Sequence, residues 1–178
     1  MKIGIDKSTK EKVSIKIIEK LHFKSEELLN IKTEIEILKI CTHPCIIKFI
    51  DHFENSEYIF IVLERIDQSL KDFIAEKGLS EINTQSIFYQ ILNAFSYLHK
   101  FGIIYINLCL ENISVKTTHE ALDVKLFNFN NSVLSSGNTN TKEINITSEL
   151  INFSAPEVLR KEKFDNKANI WSLGVLIY

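Results

Sequence analysis

Arginine is scarce in this chain of 178 residues, where only Arg65 and Arg160 stand among the 21 basic residues. Clamps in which one guanidinium binds a phosphate or carboxylate through two hydrogen bonds are therefore hard to build. Basic charge is not in excess either, because the formal net charge is −2. Without a basic field, we expect neither a nucleic acid nor a membrane surface as a partner.

Long apolar runs and cysteines are also few. The longest apolar run, residues 170–178, is shorter than the ~18 residues that span a bilayer, and the polar N-terminus has no apolar signal core. Cys41, Cys45 and Cys109 form an odd and sparse set, which favours reduced thiols over a disulfide framework. These features predict a cytoplasmic or nuclear protein.

The composition is otherwise that of an ordinary globular protein, with 45% hydrophobic and 25% charged residues, and the length allows one or two domains. Strand patterns dominate the first part of the chain, around one helix in which Leu28, Ile31, Ile35, Leu38 and Ile40 lie close to helical spacing. The sequence predicts this helix at residues 25–41 and strands at residues 1–5, 12–18, 46–53 and 58–64.

Helix patterns dominate the second part. Helices are predicted at residues 69–76, 83–100, 155–160 and 169–178, and a hairpin at residues 113–116 and 122–127. Residues 130–150 are rich in serine, asparagine and threonine, which is typical of a mobile loop. A strand-rich part followed by a helix-rich part predicts an α+β fold with two lobes.

Short motifs follow one another along this pattern. They are V-S-I-K at residues 13–16, Y-I-N-L-C-L-E-N at 105–112, F-N-F-N at 127–130, A-P-E at 155–157 and N-I-W-S-L-G at 169–174. In this order and spacing they resemble the eukaryotic protein kinase domain over essentially the whole chain. The resemblance is greatest to the serine/threonine branch, near the calcium/calmodulin-dependent and checkpoint kinases.

The resemblance implies a small strand-rich N-lobe at residues 1–66 and a mainly helical C-lobe at residues 67–178, incomplete at both ends. The family's Gly-rich loop lies upstream or is absent, because the chain begins inside what resembles the family's second strand. The chain also ends at Tyr178, inside what resembles the central helix of the C-lobe. One hypothesis is therefore that the chain is a truncated kinase fragment without function.

The resemblance also implies a nucleotide site. Lys16 would hold the α- and β-phosphates of ATP and would pair with Glu34 on the first long helix. Residues 63–66 would form the hinge, where the backbone groups of Glu64 and Ile66 meet adenine.

The nucleotide site departs from the family pattern in its metal positions and in its walls. Asn128 replaces the D-F-G aspartate with a neutral amide, whereas Mg²⁺ prefers anionic oxygen, and only Asn112 is retained at the other metal position. Ser14 and Ser114 fall where the family packs apolar groups on adenine, and polar groups weaken an apolar slot. We therefore expect ATP to bind weakly at most and Mg²⁺ to bind poorly.

The catalytic positions are also replaced. Asn107 stands where the family has the aspartate that receives or orients the substrate proton, and a neutral amide cannot act as a base. Cys109 stands where the family has the lysine that neutralises the γ-phosphate. Loss of a general base alone typically slows catalysis by ~10²–10⁴-fold.

The packing frame is kept, since aromatic and apolar residues still occupy the family's hydrophobic column between the lobes. These residues are Leu38, Phe49, Tyr105 and Phe129. The hydrophobic column is kept while the catalytic and metal-binding residues are replaced. This combination predicts a pseudokinase that binds a protein partner, either a kinase or a kinase substrate. The alternative is a weakly active serine/threonine kinase with a non-standard metal site, for which Asp67 and Asp123 are the nearest anionic residues in sequence.

Overall fold

The computed structural model describes residues 1–118, 121–135 and 144–178, apart from the side chain of Glu26. Its strands are β1 (Lys2–Ile5), β2 (Lys12–Glu19), β3 (Phe49–Glu54), β4 (Tyr58–Glu64), β5 (Gln68–Ser69), β6 (Ile103–Ile104), β7 (Ile113–Thr118), β8 (Ala121–Leu126) and β9 (Val133–Leu134). Its helices are α1 (Ser25–Ile40), α2 (Leu70–Lys77), α3 (Glu81–Lys100), α4 (Ser148–Ile151), α5 (Pro156–Leu159) and α6 (Lys167–Ile177).

The N-terminal part contains an antiparallel sheet with the strand order β1-β2-β4-β3. Along β4, the buried residues Ile59, Ile61 and Leu63 alternate with partly exposed ones, as expected for a strand with one face on the core. β2 lies beside β4 with Lys16 opposite Ile61. This register fixes the position of the lysine within the sheet.

β3 begins at Phe49 and is therefore shorter than the strand predicted at residues 46–53. The residues before it pair with the other part of the molecule instead. Ile46 forms an isolated parallel bridge with Leu126 at the end of β8, and the Ile47 N–H donates to the Leu126 carbonyl at 2.9 Å. These backbone bonds tie the sheet to β8.

α1 buries Ile31, Ile35 and Leu38 of the predicted apolar stripe, whereas Ile40 at the end of the helix is 52% exposed. At its start, the Lys24 N–H donates to the Glu27 carboxylate at 2.8 Å, which satisfies one of the backbone donors exposed at a helix end. The buried side of the helix also carries Glu34, whose residue exposure is only 1%. The helix thus places a carboxylate inside the core.

α3 is the main helix of the C-terminal part. The Ser80 hydroxyl accepts a hydrogen bond from the Asn83 N–H at 3.2 Å and so caps its first turn. Its buried stripe consists of Ile87, Ile91, Ala94, Phe95 and Leu98. The helix packs against β8 and α6, and β8 pairs in turn with β7 to form the predicted hairpin.

The predicted loop at residues 130–150 contains two short regular elements. β9 pairs with β6 in an antiparallel ribbon, and α4 forms one helical turn at the end of the segment. Residues 136–143 of the predicted loop lie outside the described residues. Within the described residues, no helix is both long and apolar enough to cross a membrane.

The predicted α+β fold is confirmed, with an antiparallel-sheet N-lobe and a mainly helical C-lobe. A main core cluster of buried apolar residues includes members from both parts, such as Leu63 of β4 and Phe95 of α3. The division of the chain between residues 66 and 67 stays a prediction.

Candidate active site

The predicted pair of Lys16 and Glu34 is formed. The Lys16 ammonium lies 2.9 and 2.8 Å from the two carboxylate oxygens of Glu34. The same carboxylate accepts a hydrogen bond from the Phe129 backbone N–H at 3.1 Å. A carboxylate buried to this degree requires such partners, because an unpaired charge in the core is strongly unfavourable.

Lys16 has a further partner in the C-terminal part of the chain, since its ammonium also donates to Asn128 Oδ1 at 3.1 Å. Asn128 follows β8 with φ 62°, a left-handed conformation that asparagine tolerates better than most residues. Its Nδ2 donates in turn to Asn112 Oδ1 at 3.1 Å. Both amide oxygens predicted to face magnesium therefore already accept a hydrogen bond from the protein itself.

Asn107, at the predicted base position, is 1% exposed and hydrogen-bonded through both ends of its side chain. Its Nδ2 donates to the Asn128 carbonyl at 2.7 Å and to Asn130 Oδ1. Its Oδ1 accepts from Asn131 Nδ2 at 2.9 Å, and its backbone carbonyl accepts from Asn112 Nδ2, also at 2.9 Å. We call Asn107, Asn112, Asn128, Asn130 and Asn131 the asparagine network.

Cys109, at the predicted lysine position, carries no positive charge. Burial raises the pKa of its thiol to about 12, and the neighbouring Glu111 carboxylate adds to this shift. The thiol is therefore neutral near pH 7 and is neither a cation for phosphate nor a reactive thiolate. Glu111 itself forms an ion pair with Lys71 of α2 at 2.7 Å.

A cavity of about 400 Å³ lies beside the asparagine network, and we refer to it as the cleft. No lysine or arginine lines it among the described residues, whereas three carboxylates do. These carboxylates belong to Glu27, Glu111 and Glu149. A cleft lined by amides and carboxylates is electrostatically unsuited to a triphosphate, which carries several negative charges.

One backbone donor of the predicted hinge is already hydrogen-bonded within the chain. The Ile66 backbone N–H, which was expected to meet adenine, donates to the Ser14 hydroxyl oxygen at 2.9 Å. The Glu64 side chain accepts from the Lys125 ammonium at 2.6 Å and from the Lys48 N–H at 2.7 Å. Its carboxylate thus joins the hinge to β8.

The packing around the catalytic loop is well connected. The Tyr105 and Phe129 rings lie 4.8 Å apart, and the Tyr105 hydroxyl donates to the Phe127 carbonyl at 2.5 Å. Asn169 of α6 accepts from the Tyr105 N–H at 3.2 Å and donates to the Tyr105 carbonyl. An amide can hold both backbone groups of one residue in this way because it has both a donor and an acceptor.

Neither of the two aspartates considered as anionic replacements lines the cleft. Asp67 is paired with Arg65 at 2.6 Å, and Asp123 accepts from Thr118 at 3.1 Å. In the described ranges, no group of three or more histidine, cysteine, aspartate or glutamate side chains is placed to hold a metal ion. The two predicted metal positions therefore offer only neutral amide oxygens, which already accept hydrogen bonds from Lys16 and Asn128.

Sequence reasoning missed several residues that lie beside the predicted catalytic positions. Asn131, Glu27 and Glu149 were not predicted, although they bond to the network or line the cleft. The run of amides at residues 128–131 was a signal for Asn131. No sequence pattern pointed to the two glutamates, because they reach the cleft from separate elements.

Comparison with known proteins gives matches over nearly the whole chain. A family model described as "Protein kinase domain" matches residues 2–178. The chain is 32% identical over 178 residues to "Serine/threonine-protein kinase dkf-2" of Caenorhabditis briggsae, covering 98% of this chain and 15% of that protein. It is also 32% identical over 178 residues to "Myosin light chain kinase A" of Dictyostelium discoideum, covering 99% of this chain and 59% of that protein.

Proposed function

Because the chain belongs to the protein kinase domain family, we propose that it is a catalytically impaired member, a pseudokinase, that acts by binding another protein. The partner would be a kinase or a substrate of one. The observation that carries the proposal is the asparagine network, which fills the catalytic and metal positions with neutral, hydrogen-bonded amides. Buried free thiols at Cys41, Cys45 and Cys109 agree with the cytoplasmic or nuclear location expected for such a domain.

Phosphoryl transfer depends on placed metal, balanced charge and an oriented nucleophile. Asn107 has no basic group for the nucleophile, and the thiol of Cys109 supplies no charge for the γ-phosphate. Loss of the base alone lowers a family turnover of ~1–100 per second to ~10⁻⁴–1 per second. The Lys16 ammonium beside Asn128 Oδ1 further disfavours a divalent cation there through like-charge repulsion.

A binding role is supported by the frame that remains. The Lys16–Glu34 pair holds the N-terminal part together, and the two hydrogen bonds between Asn169 and Tyr105 hold the C-terminal part together. The bond from Lys16 to Asn128 connects the two parts. Such a frame holds one surface in a defined shape, which lowers the entropy lost when a protein partner binds.

A second candidate function is weak serine/threonine kinase activity. Two observations favour it: the Lys16–Glu34 pair has the geometry that the family uses, and both relatives are named as kinases. The chain spans 15% and 59% of the lengths of these relatives, so their activities come to this chain only as a proposal.

The two functions are distinguished by thermal melting and phosphate release with ATP, in the presence and absence of Mg²⁺. The unmodified chain is compared with Lys16→Met and with Lys32→Met, an exposed lysine on α1 that serves as the control. We expect no Mg²⁺-dependent shift of the melting temperature and no phosphate release above background.

A Mg²⁺-dependent shift would overturn the pseudokinase proposal if turnover accompanied it, was lost in Lys16→Met and persisted in Lys32→Met. The weak kinase would then be the better description. A chain without any cooperative melt would instead favour the non-functional fragment.

A further inference from the structure

The hydrogen bond between Ser14 and Ile66 joins two residues that are 52 positions apart in sequence. Ser14 lies in β2 opposite Leu63, so its side chain is next to the point where β4 runs into the hinge. Its hydroxyl oxygen accepts the Ile66 N–H at 2.9 Å, and the residue is only 1% exposed. The bond is therefore an internal contact, shielded from competition by water.

A backbone N–H can donate one good hydrogen bond, so its acceptor decides what else can bind there. A purine base that docks on the hinge through a ring nitrogen needs this hydrogen. Ser14 is part of the chain and loses no translational entropy when it accepts this hydrogen bond, whereas a free base loses translational entropy on binding. If the base displaced Ser14, the buried hydroxyl would also lose its partner.

Ser114 of β7 provides an internal comparison. It is 6% exposed, and no hydrogen bond to its hydroxyl occurs in the described ranges. Replacing Ser114 with alanine removes a buried hydroxyl, as does replacing Ser14, but leaves the Ile66 N–H occupied. A comparison of the two variants therefore distinguishes the effect of removing a polar group from the predicted adenine site from the effect of freeing the Ile66 N–H.

We infer that Ser14 acts as a specificity-determining residue that closes the hinge to purine bases by occupying the Ile66 amide. The inference rests on the proposed function, since it describes why the slot of this pseudokinase would be empty of nucleotide. On this inference the Ser14 hydroxyl alone blocks adenine, independently of the residues at the phosphate and metal positions.

The test is titration with adenosine, which has neither phosphate nor metal and so reports on the base site alone. Binding is measured by calorimetry, and the Ile66 amide is followed by ¹⁵N–¹H NMR, in the unmodified chain, Ser14→Ala and Ser114→Ala. We expect Ser14→Ala to bind adenosine about tenfold more tightly, as the return of one hydrogen bond predicts. Ser114→Ala should change the affinity by less than about threefold, because the Ile66 amide stays occupied.

The NMR signal gives a second readout of the same contact. In Ser14→Ala, the Ile66 amide resonance should move in the absence of ligand and move again when adenosine is added. The inference fails if the unmodified chain binds adenosine as tightly as Ser14→Ala, if both alanine variants gain equally, or if the Ile66 resonance is unchanged in Ser14→Ala.

Ser14→Cys covers the case in which Ser14→Ala does not fold, because a thiol of similar shape is only a weak acceptor. The Ser14→Cys variant should also bind adenosine more tightly than the unmodified chain, and equal affinity would count against the inference.

Failure of the adenosine test would leave the pseudokinase proposal to be decided by the phosphate-release assay. Phosphate release above background in that assay would overturn the proposed function, whatever the adenosine affinities of the variants.

Discussion

Asparagine and aspartate have nearly the same shape, but only asparagine can donate a hydrogen bond from its side chain. In the asparagine network this difference is used repeatedly, since Nδ2 of Asn128 donates to Asn112 and Nδ2 of Asn107 donates to Asn128. A carboxylate at position 128 would repel the amide oxygen of Asn112 unless a cation lay between them. The amide of Asn128 instead donates to that oxygen directly.

Asn128→Asp is expected to make the cleft responsive to magnesium. The substitution removes the Nδ2 donor and sets two oxygen atoms about 3 Å apart, at the place where Asn128 now donates to Asn112. Without metal, we expect a lower melting temperature than in the unmodified chain. With millimolar Mg²⁺, at least part of this loss should be regained, as followed by differential scanning fluorimetry.

Asn30→Asp is the matched control for that experiment, because Asn30 also lines the cleft but lies on α1 outside the asparagine network. It adds the same charge and should show no Mg²⁺-dependent stabilisation. An equal response of both variants would show that added negative charge, and not the arrangement around position 128, attracts the ion.

The Cys109 thiol should be unreactive in the folded chain. Its pKa is raised to about 12 by burial first and by the Glu111 carboxylate second, so the thiolate fraction at pH 8 is ~10⁻⁴. Because the folded pKa lies above the unfolded one, this group favours folding below pH ~9 and loses that contribution as the pH rises from ~9 towards ~12.

Maleimide labelling followed by mass spectrometry checks the reactivity, and urea titrations between pH 7 and 10 check the linkage. We expect Cys109 to be labelled only after unfolding and the free energy of unfolding to fall above pH 9. Rapid labelling of Cys109 in the native chain at pH 8 would contradict the assignment of a neutral, inert thiol.

At the scale of elements, the strands and helices that bury one face were predictable from periodicity. The buried stripe of α1 and the alternating burial along β4 are examples. The packing of α1 beside the sheet also brings Glu34 to Lys16 of β2, as predicted. Such patterns are visible in the sequence because an element that buries one face repeats its apolar residues at the period of a helix or a strand.

The hydrogen bonds inside the cleft were not predictable in the same way. The bond from Lys16 to Asn128 spans 112 residues, and the direction of the Asn128 amide depends on a left-handed backbone conformation after β8. The shortening of β3 has a similar cause, because the backbone of Ile47 bonds to β8 and not to the sheet. Long-range contacts of this type override local propensity.

Glu34→Gln should destabilise the fold through one buried contact of α1. The change removes the charge that faces Lys16 while keeping the side-chain shape. Removal of one partner from a buried pair costs ~3–5 kcal/mol, and we expect about 2 kcal/mol here because the Lys16 side chain is 23% exposed. Urea denaturation followed by circular dichroism measures the difference.

Glu36→Gln on the same helix is the control, since its partner Lys39 and its own side chain are both exposed. That exposed pair is expected to contribute less than ~0.5 kcal/mol. If the two variants lost equal stability, helix propensity and not the buried pair would be the cause.

At the scale of the whole molecule, several side chains tie the two parts together. Among these ties are the bond from Lys16 to Asn128 at the cleft and the ion pair of Glu64 with Lys125 behind the hinge at 2.6 Å. The Glu34 carboxylate also accepts from the Phe129 N–H, and the backbone bridge between Ile46 and Leu126 adds a further connection. Relative motion of the parts requires at least one of these contacts to break.

A double-mutant cycle on the unfolding free energy tests the tie at the cleft. Lys16→Met and Asn128→Ala should be non-additive by about 1 kcal/mol, because each removes the same contact between the two parts. Lys16→Met combined with Asp123→Ala should be additive within ~0.5 kcal/mol, since Asp123 bonds locally to Thr118. Additivity in both cycles would mean that the cleft contact does not couple the parts.

The reciprocal bonding of the amides also bears on how such a chain can change over generations. Because Asn107 donates to Asn128 and receives from Asn131, a single change to aspartate at position 107 would set a carboxylate against a carbonyl oxygen. That change alone would lower stability. The positions of the network are therefore coupled over generations, since an aspartate at position 107 is tolerated only when the neighbouring groups change with it.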